Sequence, residues 1–172
     1  VPPADGPVIS VLTYNIAGLN DNGRDWGPVV TEIIAADADL VALQELSPSA
    51  LAVLEPALTG RYPHSALYPA GGAEGSGVFS RYPITAEATW RGVFINQRVV
   101  VDWDGQPITL YNVHPPPPLG VGRFTFDERN AEIDAIITRA DAEPAQTPLI
   151  LTGDFNMGPR TPRYDALNRR FG

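Results

Sequence analysis

Asn15, Glu45, His114, Asp154 and Asn156 are the residues whose types and positions could together act on a phosphoryl group or a divalent cation. They follow apolar, β-prone stretches: Asn15 closes residues 8–14, Glu45 ends 39–45, His114 ends 107–114, and Asp154 and Asn156 come just after 147–152. If those strand ends meet at one rim, carboxylate and amide oxygens with one imidazole form a cluster that rigid elements hold steady. A cluster of this kind can seat a cation against a phosphodiester and direct water at it. Alone, each residue has a plainer use. Asn15 before a Gly-containing loop suits a turn, and Asp154 and Asn156 after Gly153 suit an Asx turn. Glu45 beside Ser47 and Pro48 suits a solvated acid near a helix N-terminus, and His114 suits a packed imidazole. Their appearance together, in this order, favours the cluster.

Composition narrows the chemistry further. The 172 residues include no Cys, which removes thiolate nucleophiles, thiolate metal sites and disulfides. All twelve basic residues are Arg, so there is no Walker A lysine, Schiff base or lysine general base. His64 and His114 are the only histidines, which excludes a three-histidine zinc site within one chain. A metal must therefore be held by carboxylate and amide oxygens, the donors of Mg²⁺, Mn²⁺ or Ca²⁺. A formal charge of −8 provides no basic field for nucleic acid or an anionic membrane. Rival motifs fail on spacing. The obligatory Gly of a calcium loop starting at Asp154 is replaced by Pro159, and Glu74 stands where a nucleophile elbow around Ser76 needs its first Gly. The glycines of 71–77 precede a strand rather than a helix, unlike a dinucleotide fingerprint.

The elements that must position these residues are legible from pattern. Residues 8–14 and 39–45 read as strands, with a helix from Trp26 or Pro28 to Ala36 between them. Ser47 and Pro48 start a second helix, Ser as N-cap and Pro in the first turn. A mobile loop at 69–77 leads into Val78, Phe79 and Ser80. Strands follow at 85–91, 94–103 and 107–114, the last two joined by an Asp104-Gly105 hairpin turn. The prolines 115–118 stop the pattern. Residues 127–141 give a helix, and 147–152 a final strand. Alternating βαβα elements and a hairpin-rich middle predict one layered α/β domain over residues 1–172. No apolar run reaches the roughly 20 residues that span a bilayer. The start at Val1-Pro2-Pro3 rather than Met leads to the expectation that something upstream is removed.

Five segments in order, 12–15, 43–45, 79–84, 112–114 and 153–156, resemble the motifs of the endonuclease/exonuclease/phosphatase superfamily. Asn112-Val113-His114 and Gly153-Asp154-Phe155-Asn156 are the most specific of these. The resemblance implies a four-layer α/β sandwich of two packed sheets flanked by helices. It also implies Glu45 as principal ligand of Mg²⁺ or Mn²⁺ with Asn15 beside it. It makes His114 a contact to the scissile phosphate, Asp154 the acid that orients or deprotonates water, and Asn156 an amide supporting the transition state. Arg81 and Arg129 fit phosphate clamps or structural ion pairs equally.

One feature departs from the family pattern. That pattern closes with a Ser-Asp-His motif, and none follows Asp154 before Gly172; His64 cannot substitute on order alone. The expectation is a sandwich with incomplete closing strands and an exposed sheet edge, supplied by further sequence, a partner chain or self-association. The given segment alone is then expected to be weakly active or inactive. The function expected is divalent-metal-dependent hydrolysis of a phosphoric ester. The acid balance and the absence of Lys argue against a non-specific duplex nuclease. The Gly-rich loop before Ser80 and the prolines after His114 look similar to a bacterial envelope-associated branch of the family, which implies a small or lipid-linked ester and a secreted or cell-envelope location. The alternatives are a non-catalytic binding or assembly module that keeps the sandwich, a nuclease on DNA or RNA, and a calcium-stabilised structural domain.

Overall fold

The computed structural model describes residues 8–119 and 124–171. Two sheets of four strands carry the chain. The first contains β1 (Val11–Asn15), β2 (Leu40–Gln44), β3 (His64–Tyr68) and β4 (Ser76–Ser80), in the order β1-β2-β4-β3. The second contains β5 (Ile84–Arg91), β6 (Ile95–Trp103), β7 (Gln106–Val113) and β8 (Leu149–Gly153), in chain order. β1 and β2 run parallel, joined through α1 (Gly27–Ala36), and β7 and β8 run parallel, joined through α3 (Phe126–Asp141). A helix in each crossover is what a parallel pair requires. α2 (Pro48–Leu58) links β2 to β3, and α4 (Pro162–Phe171) follows β8.

Burial explains why β2 reads as an unbroken apolar run. Val41 and Leu43 face Val29 and Ile33 of α1 and Leu54 and Leu58 of α2. Leu40 and Ala42 face the other way, into a cluster with Val99, Val101, Ile108 and Leu110 of the second sheet. On β7, Ile108 and Leu110 turn inward while Tyr111 and Val113 pack on Ile136 and Ala140 of α3. Successive side chains of a strand point to opposite faces. The inner strands β2 and β7 are therefore covered on both faces, and the layers run helices, sheet, sheet, helix. The four-layer sandwich inferred from the sequence is what forms.

Local signals fix the element ends. The Ser47 hydroxyl accepts from the Ala50 N–H at 3.1 Å and caps α2. Thr125 caps α3 in a reciprocal box with Glu128, each accepting the other's backbone N–H. Asp104 (φ 51°) and Gly105 (φ 87°) form the β6–β7 turn with both residues left-handed, as the twist of a tight hairpin demands. Three expectations are corrected. β3 and α4 are not apparent from the sequence pattern. Ser76 and Gly77, read as loop, open β4 and are buried. The loop before them is tied down, with Leu46 exchanging backbone hydrogen bonds with Ala70 and Gly75. A Cβ at Gly75 would lie 1.9 Å from the Leu46 carbonyl oxygen, so only Gly permits this approach.

Candidate active site

β1, β2, β7 and β8 deliver their C-terminal ends to one rim. Asn15 is the last residue of β1, and Glu45, His114 and Asp154 each come directly after β2, β7 and β8. All five residues selected from the sequence line one pocket of about 320 Å³, together with Leu19, Phe94, Leu119 and Phe124. His64 sits at the opposite end of the first sheet, paired with Ser80 rather than with the Ser76 end.

Asn15 stands at the centre. Its Nδ2 donates to Glu45 Oε1 at 3.0 Å and to Asp154 Oδ2 at 2.9 Å, bridging carboxylates from the two sheets. Its Oδ1 accepts from the Ala17 N–H at 2.9 Å, which fixes the amide's orientation. The second Glu45 oxygen accepts from the Leu19 N–H at 3.1 Å. Asp154 Oδ1 accepts from the Asn156 N–H, forming the expected Asx turn, while Asn156 Nδ2 donates to the Pro115 carbonyl at 2.9 Å. The Asx turn expected of Asp154 and Asn156 forms, and both residues line the pocket.

His114 is 3% exposed, its ring packed on Phe94 with centroids 4.7 Å apart. Nε2 lies 3.8 Å from Asp154 Oδ2, and the buried Nδ1 has no hydrogen-bond partner. Burial pushes the imidazole below its ordinary value of 6.5, with the Asp154 and Glu45 carboxylates pulling the other way. The ring is therefore mostly neutral at neutral pH and carries a single N–H donor.

The backbone is strained where these groups converge. Glu45 (φ 58°) and Asn156 (φ 49°) are left-handed without being Gly, as is Ala17 (φ 55°) beside them. Such conformations cost about 1–3 kcal/mol each and persist where the surroundings enforce them. At Gly18 a Cβ would lie 1.9 Å from the Glu45 carbonyl oxygen, and at Gly153 one would lie 1.9 Å from that of Val113. Both glycines let neighbouring chain segments close around the rim.

Several contributors escaped the sequence reading. The Leu19 N–H and the Phe94 ring carry no chemical signature. The Asn96 Oδ1 accepts the His114 N–H at 2.9 Å, and Asn96 in turn donates to Glu132 of α3 at 2.8 Å. Arg129, left open between two roles, is buried and donates to the Asn156 carbonyl at 2.9 Å, so it braces the Asp154–Asn156 turn. Arg81 pairs with Asp37 and Asp39, away from the pocket.

The donor set suits a hard cation. Among the described residues no cluster of three or more His, Cys, Asp and Glu is placed to hold a metal. Glu45 and Asp154 nevertheless converge on one donor, the Asn15 amide, which marks a point of negative potential. Mg²⁺ commonly takes one or two carboxylates and leaves its other positions to water and phosphate oxygens.

The profile of the endonuclease/exonuclease/phosphatase family matches residues 12–172. The chain belongs to that family. No functionally curated protein matches the chain, whereas many solved structures do. A humanized D. rerio TDP2 superposes with a TM-score of 0.77 at 18% identity, covering 92% of this chain and 70% of that one. D. rerio TDP2 complexed with single-strand DNA product gives 0.76 at 17%, covering 93% and 64%. Sphingomyelinase C from Streptomyces griseocarneus gives 0.71 at 22%, covering 96% and 70%. At these identities the likeness establishes the fold shared with other endonuclease/exonuclease/phosphatase members. The chain spans 64–70% of the length of these structures.

Proposed function

We propose that this endonuclease/exonuclease/phosphatase domain hydrolyses phosphoric esters by attack of water on a phosphoryl group, in a divalent-cation-dependent reaction. The observation that carries the reading is the meeting of Asn15, Glu45, His114, Asp154 and Asn156 in one pocket, from segments far apart in sequence. Glu45 would hold Mg²⁺ or Mn²⁺ with Asn15 beside it, the Asn15 Nδ2 steadying the Glu45 carboxylate; the cation, when bound, would supply neutralisation of the phosphoryl charge. Asp154, fixed by the Asx turn and the Asn15 amide, orients the attacking water and receives its proton. The His114 Nε2 and the Asn156 amide donate to phosphoryl oxygens as charge accumulates there. Burial favours the neutral form of His114, whose one N–H can serve as that donor.

Substrate choice follows from charge. A net charge of −8 without Lys disfavours a polyanion held by many phosphate contacts, so a small or lipid-linked ester is preferred to duplex nucleic acid. One structural relative is a sphingomyelinase and another was captured with a DNA product, so both classes belong in the assay. Among the described residues no helix is long and apolar enough to cross a membrane; a secreted or cell-envelope setting is part of this reading.

Bis-p-nitrophenyl phosphate with Mn²⁺ tests the proposal. Turnover is expected to need the cation and to fall about 10²–10³-fold in Glu45→Ala and in Asp154→Asn. Turnover that survives both substitutions rejects the assignment. Absence of turnover from the full-length protein, with Mn²⁺ binding retained, favours a binding module on the same sandwich.

A further inference from the structure

We infer that the pocket selects phosphodiesters of single charge that carry an apolar substituent, gripped by Leu19 on one side and by Leu119 and Phe124 on the other. This inference rests on the hydrolytic reading of the same site and adds the chemistry of the group that does not react.

Beside the acidic groups of the pocket stand large apolar side chains. Leu19 is 62% exposed and Leu119 56% exposed, two of the few large apolar side chains left in solvent among the described residues. Both line this pocket. Leu19 belongs to the short 3₁₀ turn Gly18–Asn20, and its N–H is bonded to Glu45, so the side chain is anchored beside the carboxylate. The Leu119 N–H donates to the Phe124 carbonyl at 3.1 Å, and both residues line the pocket. Phe124 meets Phe94 edge to face at 5.7 Å, and Phe94 stacks on His114. An apolar path therefore runs from the rim to the imidazole at the reaction centre.

The charge arrangement points the same way. The described lining residues include Glu45, Glu74 and Asp154 and no Arg, and Glu74 is paired with Arg91. One phosphoryl charge can be matched by a cation at Glu45. Flanking phosphates would face carboxylates with no counter-charge from these residues, whereas an alkyl or aryl substituent would cover exposed leucine. Each fully buried methylene is worth roughly a fourfold gain in affinity.

Isothermal titration in Mg²⁺ buffer with dimethyl phosphate, dihexyl phosphate, diphenyl phosphate and the dinucleotide thymidylyl-thymidine decides the matter. Dihexyl or diphenyl phosphate is expected to bind at least about tenfold more tightly than dimethyl phosphate and the dinucleotide. The better of the two says whether the natural substituent is aliphatic or aromatic. In a Leu19→Ser/Leu119→Ser double variant, whose positions are exposed and whose fold is checked by circular dichroism, that margin shrinks several-fold while dimethyl phosphate binding stays the same. Equal affinities, preference for the dinucleotide, or a margin that survives the double variant overturns the inference. The titration is independent of turnover. A preserved margin in a protein that fails to hydrolyse bis-p-nitrophenyl phosphate rejects the hydrolytic reading and leaves the apolar clamp standing.

Discussion

The five residues at the centre of the site share one sequence feature: a polar side chain at or just beyond an apolar strand end, where rigid backbone can aim it. That feature is why they were legible. Their supports were not, because Asn96 and Arg129 act through partners 18 and 27 residues away and look like ordinary strand and helix residues. Arg129 matters most among these. It is a buried guanidinium with its Nη1 on the Asn156 carbonyl and its Nη2 on Asn130 Oδ1 at 3.0 Å. A lysine offers one compact ammonium in place of a planar fork and cannot span both acceptors. Arg129→Lys is therefore expected to let the Asp154–Asn156 turn drift and to lower kcat by about ten- to a hundredfold. Mn²⁺ affinity should hold, since neither Asn15 nor Glu45 is touched. An unchanged kcat with a lower Tm would make Arg129 a stabilising residue only.

At the scale of elements, the two sheets are held in register beneath the site by a buried amide network. Gln44 Nε2 donates to Asn112 Oδ1 at 2.6 Å, and Asn112 Nδ2 donates to the Leu43 carbonyl and to the Ser76 hydroxyl. Ser76 passes the chain to Gln97, whose amide ends on the Ala66 carbonyl. These groups stand next to Glu45 and His114 in sequence, so sliding one sheet on the other would pull the site apart. Replacing one member leaves buried partners unsatisfied, and Asn112→Leu is expected to cost about 1–3 kcal/mol in urea unfolding. The double variant Gln44→Leu/Asn112→Leu should cost less than the sum of the single ones, because the two side chains share one bond. Strict additivity would dissolve the network. Helices and inner strands were readable since their periodicity follows from burial on one or both faces. β3 is short and mixed, with only Ala66 buried. α4 buries only Leu167 and is rich in Arg, so neither produces a pattern that stands out from its surroundings.

At the scale of the whole molecule, the rim that gathers the site also ends each sheet. β1 and β8 are edge strands on the same side of the sandwich and touch each other. None of their residues is fully buried, whereas every residue of β2 and β4 is. β8 is nonetheless Leu149, Ile150 and Leu151, an apolar strand bonded to β7 on one side only. An edge of this composition is a template for further strand pairing, whether by further sequence, a partner chain or a second copy. Hydrogen exchange tests this without knowledge of the partner. In dilute solution, the outward N–H groups of β1 and β8 are expected to exchange well ahead of those in β2 and β7, whose bonds are made on both sides. Protection of β1 and β8 that rises with protein concentration would identify self-pairing at this edge. Protection equal to that of β7 in a dilute monomer would show that the edge is closed by other means, and the partner reading would fall.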